Sequence, residues 1–282
     1  MFIHLLILTI STVISIFFIF LIISLKRLSS YLKVSHSSIT ISLVLIEFFI
    51  LMYIQKTKNL FVWSIIICMI IVWITYYVGL KINIIGVTGR MGAGKSTLLK
   101  QLVNKNIPVI DLDKEIHELL DTNSKIKEFV IKHFSNYHVI QENGKINREI
   151  LAEVIFQKNK ALKQKYLSLI YFYLALKLFN KILNIYFWQN RKFCVIEGSM
   201  ILNNKFFSLI IFPIICINAP EEVLYKRIKK RNPELSIEDI NSRMKYQMSN
   251  EEMRLKSDGY ISNEYRSSLL LDKFLTKLYE IG

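Results

Sequence analysis

Gly86-Val87-Thr88-Gly89-Arg90-Met91-Gly92-Ala93-Gly94-Lys95-Ser96-Thr97 is the stretch on which the reading of this chain turns. It contains Gly89-x-x-x-x-Gly94-Lys95-Ser96, the spacing of a phosphate-binding P-loop. Four of the nine glycines in 282 residues fall between positions 86 and 94. A loop wrapped round a phosphate needs positive φ angles and no Cβ in the way. The amides from Gly89 to Thr97 then point at the anion, and the positive end of the following helix adds to them. Lys95 supplies a point charge for the β- and γ-phosphates, and the Ser96 hydroxyl is placed for Mg²⁺. The flanks agree: residues 82–85 read as a buried strand, and Leu98, Leu99, Leu102 and Val103 recur at helical spacing. Strand, glycine loop and helix predict a nucleoside triphosphate site in an α/β domain with a parallel sheet. They leave the reaction open.

Hydrophobic residues make up 52% of the chain, and the excess is concentrated in residues 1–80. That segment holds Lys26, Arg27, Lys33, Lys56 and Lys58 against Glu47, which leaves +11 of the overall +15 for the remainder. A basic domain suits anionic ligands and an anionic bilayer surface. There is no zinc-finger, helix-turn-helix or aromatic RNA-binding pattern, and the charge is scattered, so nucleic acid is not an expected partner. Cys68, Cys194 and Cys216 lack metal-binding or CxxC spacing and read as buried, reduced thiols of a cytosol-like compartment.

Residues 2–25 are 24 positions without a formal charge, against the roughly 20 apolar residues that span a bilayer. No basic segment precedes them and no small-residue cleavage site ends them, which favours a retained transmembrane helix over a signal peptide. Residues 60–80 form a second span, with Trp63, Trp73, Tyr76 and Tyr77 as interfacial anchors. Residues 39–54, which contain Glu47, either cross as well or lie in the interface. With three spans, the basic 26–38 loop shares a side with the P-loop, and the positive-inside rule places both in the cytosol. The expected organisation is a transmembrane anchor of two or three helices over 1–80. A P-loop domain over 81–282 follows with almost no linker.

After the P-loop helix, Val109-Ile110 reads as a second strand with Asp111 and Asp113 at its carboxyl end, where open parallel sheets bind ligands. Alternation puts both carboxylates on one side of an extended backbone. One can then face Mg²⁺ or the phosphates and the other a hydroxyl awaiting phosphorylation; alternatively Asp113 caps a helix beginning near Lys114. Residues 114–190 read as mostly helical. Residues 193–198 form a third strand, whose Glu197 either holds Mg²⁺-bound water beside Ser96 or simply ends the strand. Residues 209–219 read as a further strand interrupted by Pro213, and Pro220 as the first turn of a helix. That helix carries Arg227 and Arg231 on one face, and a second helix, capped by Ser236 with Asp239, carries Arg243 and Gln247. A basic run is commonly a solvated face. Behind a P-loop it also fits an arginine lid that neutralises a transferring phosphoryl group and excludes water. Residues 258–263 and 269–279 read as the last strand and the closing helix.

These pieces, in this order, resemble the dephospho-coenzyme A kinase family over about residues 82–280. The resemblance rests on the 85–97 loop, Val109-Ile110-Asp111-Leu112-Asp113, and Ile146-Asn147-Arg148 with Ile155-Phe156. It continues through Ala219-Pro220, Arg227-x-x-x-Arg231, Ser236-x-Glu238, Arg243-x-x-x-Gln247 and Asp258-x-x-Ile261-x-Asn263. It implies a P-loop kinase fold with a helical substrate domain at about 114–190 and a lid. It also implies transfer of the ATP γ-phosphoryl, with Mg²⁺, to the ribose 3′-hydroxyl of dephospho-CoA. Asp113 would be the general base and Lys95, with the loop amides, the ATP holder. Ser96 would hold Mg²⁺, and Arg227 and Arg231 would be lid residues. Three positions depart from the family pattern: Phe172-Tyr173 stands for a His-Pro, Glu197-Gly198-Ser199 for an Asp-x-Pro, and Glu252-Met253 for a Glu-Lys pair. The alternatives are another P-loop small-molecule or nucleotide kinase, and a nucleotide-binding module without catalysis.

Overall fold

The computed structural model describes Ile46, Phe49 and residues 82–281, except 135–136, 142–143, 158–159, 192, 246 and 265–268. The spans expected within residues 1–80 lie outside the described residues. In chain order the first elements are β1 (Ile84–Thr88), α1 (Lys95–Asn104), β2 (Val109–Asp111), α2 (Leu112–Thr122), α3 (Ser124–Phe134), α4 (Arg148–Gln157) and α5 (Lys160–Leu183). They are followed by β3 (Cys194–Glu197), α6 (Lys205–Ile210), β4 (Ile214–Asn218), α7 (Glu221–Arg231), α8 (Ile237–Lys245), α9 (Asn250–Lys256), β5 (Gly259–Ser262) and α10 (Leu270–Ile281). The chain divides into two units, Met1–Val109 with Arg191–Gly282, and Ile110–Asn190.

The sheet has five strands in the order β2-β3-β1-β4-β5; β1, β3, β4 and β5 belong to the first unit, and β2 straddles the division. All five residues of β1 are buried. A strand covered on both faces reads as a continuous apolar run rather than an alternating one, which is why Ile84-Ile85-Gly86-Val87 shows no period of two. β1 pairs in parallel with β3 and with β4, so Val87 lies between Glu197 and Ile215. β4 pairs in parallel with β5. The Val195 amide donates to the Pro108 carbonyl at 2.9 Å, where β2 begins. The carboxyl ends of β3, β1 and β4 therefore meet at one edge, where the strand order reverses and ligands bind in open α/β sheets. Leu98 and Leu102 of α1, Leu224 and Ile228 of α7, Ile240 and Met244 of α8, and Leu270 and Phe274 of α10 close a single core around Val87, Ile215 and Ile217.

Several local readings are corrected. Part of the apolar run 209–219 is helical rather than extended. The Asn204 side chain accepts from the Phe206 amide and starts α6, and β4 proper is confined to Ile214–Asn218. Pro220 occupies the cap position with ψ 148°, outside the first helical turn that begins at Glu221. Ser236 and Asp239 do form the reciprocal box expected of them, with Ser236 Oγ accepting from the Asp239 amide and Asp239 Oδ2 accepting from the Ser236 amide. Cys194 and Cys216 are free and buried. Burial pushes both thiols up to about 12, against a small opposing pull from Lys95 on Cys216, so both stay protonated at neutral pH.

The second unit is helical. Asp111 opens α2 as its cap, its Oδ1 accepting from the Lys114 amide at 3.1 Å. Leu119 and Leu120 of α2, Ile126, Val130 and Phe134 of α3, and Ile170, Leu174, Leu178 and Ile182 of α5 are buried. The stretch Leu162–Trp188 is long and apolar enough to cross a membrane by length and composition. Its polar contacts give it another role: Lys177 and Lys181 clasp the buried Glu115 of α2 at 3.0 and 2.5 Å, and Lys177 also meets Glu118 at 2.7 Å. Burial pulls the Lys177 ammonium down, but hydrogen bonds to Glu118 and Glu115 outweigh it and hold the group above its usual range. The helix is thus the spine of this unit.

Replacing Glu115 with Gln takes the carboxylate from Lys181 and leaves Lys177 with Glu118 alone. It is expected to lower stability by about 1–2 kcal/mol in urea titration, less than for a fully buried pair, because Lys177 keeps Glu118 and Lys181 is partly solvated. The exposed pair of Lys125 and Glu128 serves as the control, and Glu128→Gln should leave the urea midpoint unchanged.

Candidate active site

The loop that leaves β1 is held by close backbone contact. Gly89 has φ 147°, and a Cβ there would lie 1.9 Å from the Ile217 carbonyl oxygen. Gly94, the cap of α1, has φ 102°, and a Cβ there would lie 2.3 Å from Asn263 Nδ2. No other residue fits either place, so the glycines of the motif are set by packing as much as by dihedral angle. Lys95 folds back over its own loop, its Nζ donating to the Gly89 carbonyl at 2.8 Å and the Arg90 carbonyl at 3.2 Å. The same Nζ lies 3.8 Å from Glu197 Oε1 at the end of β3. A lysine and a nearly buried carboxylate thus face each other across the ends of two adjacent strands.

Four side chains from the last third of the chain hold the loop from outside. Asn263 Nδ2 donates to the Ala93 carbonyl at 2.8 Å. Gln247 Oε1 accepts from the Met91 amide at 3.1 Å. Glu221 and Asn250 accept from Arg90 Nη1 at 2.8 and 3.4 Å. Thr88 Oγ1 at the end of β1 and both amide atoms of Asn218 at the end of β4 are buried without a hydrogen-bond partner among the described residues. Unpaired buried polar atoms carry a desolvation cost of about 1–3 kcal/mol each, and they concentrate the polar character of this sheet edge.

The expected site residues divide between the two units. Gly89, Arg90, Met91, Gly92, Ala93, Gly94, Lys95, Ser96, Thr97 and Glu197 belong to the first unit, with Ser96 and Thr97 exposed in the opening turn of α1. Asp111 and Asp113 belong to the second unit. Asp111, rather than Asp113, caps the helix, and its Oδ2 also lies 3.1 Å from Lys114 Nζ. Helix α2 starts two residues earlier than the sequence suggests, which leaves Asp113 exposed in its first turn. Arg148 is paired with Asp121 at 2.5 Å within the second unit. On α7, Arg227 Nη2 donates to the Glu264 carbonyl at 3.4 Å, while its buried Nη1 has no hydrogen-bond partner among the described residues. Arg231 is exposed, with its Nε on Asn232 Oδ1 at 3.1 Å. Arg243 is exposed in the last turn of α8. Gln247 does not share that helix: α8 ends at Lys245, and the Gln247 amide closes a turn on the Met244 carbonyl at 3.2 Å. No group of three or more His, Cys, Asp or Glu side chains able to hold a metal occurs among the described residues.

The four outer contacts were invisible to local pattern. They join residues 131 to 170 positions apart. Gln247 and Asn263 stood in motifs of the family resemblance, but nothing in the sequence around them named the loop as their partner. Asn263→Ala removes one buried hydrogen bond to the loop, worth about 1–1.5 kcal/mol. Nucleotide affinity by calorimetry should therefore fall by about tenfold while the fold is retained.

The sequence profile of the dephospho-CoA kinase family matches residues 83–268. The dephospho-CoA kinase CAB5 of Saccharomyces cerevisiae is 27% identical over 196 residues, which are 68% of this chain and 78% of that protein. The Clostridium tetani dephospho-CoA kinase is 31% identical over 180 residues, 64% of this chain and 77% of its own length. Among solved structures, the dephospho-CoA kinase of Campylobacter jejuni superposes with a TM-score of 0.51 at 27% identity, covering 71% of this chain and 97% of that one. The Thermus thermophilus protein TT1252 superposes at 0.60 with 23% identity, over 70% of this chain and 96% of its own, and bears on the fold alone. With two thirds of its length matched by the profile and its glycine loop closed round Lys95 as a P-loop requires, the chain belongs to the dephospho-CoA kinase family.

Proposed function

We propose that the chain transfers the γ-phosphoryl group of ATP to the ribose 3′-hydroxyl of dephospho-CoA, and that it does so from a membrane to which residues 1–80 anchor it. The observation that carries the first part is the 89–96 loop folded round Lys95, in a chain whose residues 83–268 match the family profile. In the reaction the 3′-hydroxyl proton passes to the Asp113 carboxylate as the O3′–P bond forms. The bond from the γ-phosphorus to the bridging oxygen breaks, and its electron pair leaves with ADP. Asp113 suits the base: it is exposed in the first turn of α2, while Asp111 is engaged as the cap. Lys95 exchanges its loop carbonyls for the β- and γ-phosphate oxygens. Arg227, Arg231 and Arg243 supply positive charge from α7 and α8, where it compensates the equatorial oxygens of the transferring group.

The Ser96 hydroxyl and the Glu197 carboxylate are hard oxygen donors of the kind Mg²⁺ takes. With one or two protein ligands, the cation would draw its remaining coordination from phosphate oxygens and water, which fits the lack of a larger acidic cluster among the described residues. When bound, Mg²⁺ neutralises and orients the β- and γ-phosphates.

A second reading, another small-molecule kinase on the same fold, draws on Phe172-Tyr173 in α5, where Phe172 is 58% exposed. One assay separates the two. The full-length chain with ATP and Mg²⁺ is expected to convert dephospho-CoA to CoA, and Asp113→Asn to lower kcat by about 10²–10⁴-fold, the usual contribution of a general base, with ATP binding retained. Untouched dephospho-CoA together with phosphorylation of a nucleoside monophosphate establishes the second reading instead.

The anchor is supported by the uncharged run of residues 2–25 and by the second apolar run 60–80. The chain is expected in the membrane fraction of expressing cells and should resist extraction by alkaline carbonate. Release by carbonate, or recovery in the soluble fraction, rules the anchor out.

A further inference from the structure

An arginine inside a phosphate-binding loop is naturally read as a phosphate ligand, and Arg90 is not placed as one. Its side chain is only 8% exposed and is engaged by residues at two helix starts. Nη1 donates to Glu221 Oε1 at 2.8 Å, in the first turn of α7, and to Asn250 Oδ1 at 3.4 Å, the first residue of α9. Nε is buried without a partner among the described residues. Meanwhile the Arg90 backbone carbonyl accepts from Lys95 Nζ at 3.2 Å and from the Ala93 amide at 3.2 Å. One residue therefore ties the loop's lysine and turn, through its main chain, to α7 and α9, through its side chain. The next residue repeats the pattern, its amide donating to Gln247 Oε1 from the turn between α8 and α9.

We propose that Arg90 is a positioning residue, a brace that fixes the P-loop to the beginning of α7, so that the phosphate cradle and the arginines on the same helix are set as one rigid piece before ATP arrives. The physical reason is preorganisation. A loop whose amides are already aimed loses little conformational entropy on binding, and a loop released from its supports loses more. Arg90 reports on this through Glu221. That carboxylate is 62% exposed, and the pair alone would be weak by surface standards, but the guanidinium it neutralises is buried. Removing Glu221 therefore leaves a buried cation at the root of the loop.

The inference rests on the 89–96 loop being the ATP site, and the test is built to separate the two. The dissociation constant of a fluorescent ATP analogue and the steady-state kcat and KM for ATP are measured on the full-length chain and on Arg90→Ala, Glu221→Ala and the double variant. Each single variant is expected to raise Kd and KM for ATP about 3–10-fold with kcat changed less than about twofold. The double is expected to be no worse than the worse single, since partners in one interaction are non-additive. Arg90→Lys, which keeps a charge within reach of Glu221, should recover most of the loss. Additive effects, or a loss on Arg90→Ala more than about 100-fold beyond that of Glu221→Ala, would overturn the brace and make Arg90 a direct phosphate ligand. Should Arg90→Ala fail to fold, Glu221→Gln and Asn250→Ala decide alone, because both leave Arg90 in place. A raised KM for ATP supports the brace, and an unchanged KM in both sinks it. A wild-type chain that does not bind the analogue removes the ATP site itself, a different failure from a wild type that binds but shows no coupling.

Discussion

The backbone of Gly89 lies so close to the Ile217 carbonyl that a single added carbon would overlap it. This contact sets the height of the phosphate loop over the end of β4, and much else follows. With Gly89 pressed down, the chain turns back at Arg90, whose carbonyl and that of Gly89 both face the Lys95 ammonium. With the loop at that height, Asn263 at the end of β5 reaches the Ala93 carbonyl, and Gly94 must itself lack a Cβ to admit the Asn263 amide. A central β1, buried on both faces and flanked by β3 and β4, is what allows Lys95 and Glu197 to meet at one edge of the sheet.

What the sequence made legible, and what it did not, divides along the range of the interactions. The P-loop was readable because every part of it is local: strand, glycines, lysine and helix within about twenty positions, each with its own backbone or chemical requirement. The box at Ser236 and Asp239 was readable for the same reason. The strands at 109–111, 194–197 and 259–262 were placed to within a residue or two; the fully buried one at 194–197 shows as a short apolar run, and the half-buried other two rest on shorter apolar cores, Val109-Ile110 and Tyr260-Ile261. Two readings failed, and one open alternative was settled, where a competing local signal decided. The Asn204 cap made a helix where apolar content suggested a strand. Asp111 took the cap that also fitted Asp113. The end of α8 at Lys245 removed Gln247 from the face it seemed to share with Arg243. The supports of the loop, Glu221, Gln247, Asn250 and Asn263, were beyond any local pattern because nothing in the chain around them announces a partner more than a hundred residues away.

The two units divide the labour in chemical terms. The first holds what a triphosphate needs: oriented amides, a lysine, a carboxylate, and arginines on neighbouring helices. The second is a helical body whose polar investment goes into its own cohesion, with Glu115 clasped by two lysines and Arg148 paired to Asp121. The proposed base, Asp113, stands at its very beginning, two residues beyond the end of β2. A carboxylate in that position is set by the strand that delivers it and by the cap that precedes it.

The position of the helical unit within the chain also has a consequence for synthesis. β1 is the first strand made among the described residues, yet both of its neighbours, β3 and β4, lie beyond the helical unit. About 110 residues must be added before β3 exists, which at 5–20 residues per second takes on the order of 5–20 s. Through that interval a strand of five residues destined for full burial, and the glycine loop after it, have no sheet to join. The helices of the second unit can pack meanwhile, since α2, α3 and α4 all contact α5 and all four precede β3 in the chain. On the ribosome the chain should therefore pass through a stage in which its spine of helices is complete and its phosphate site does not yet exist.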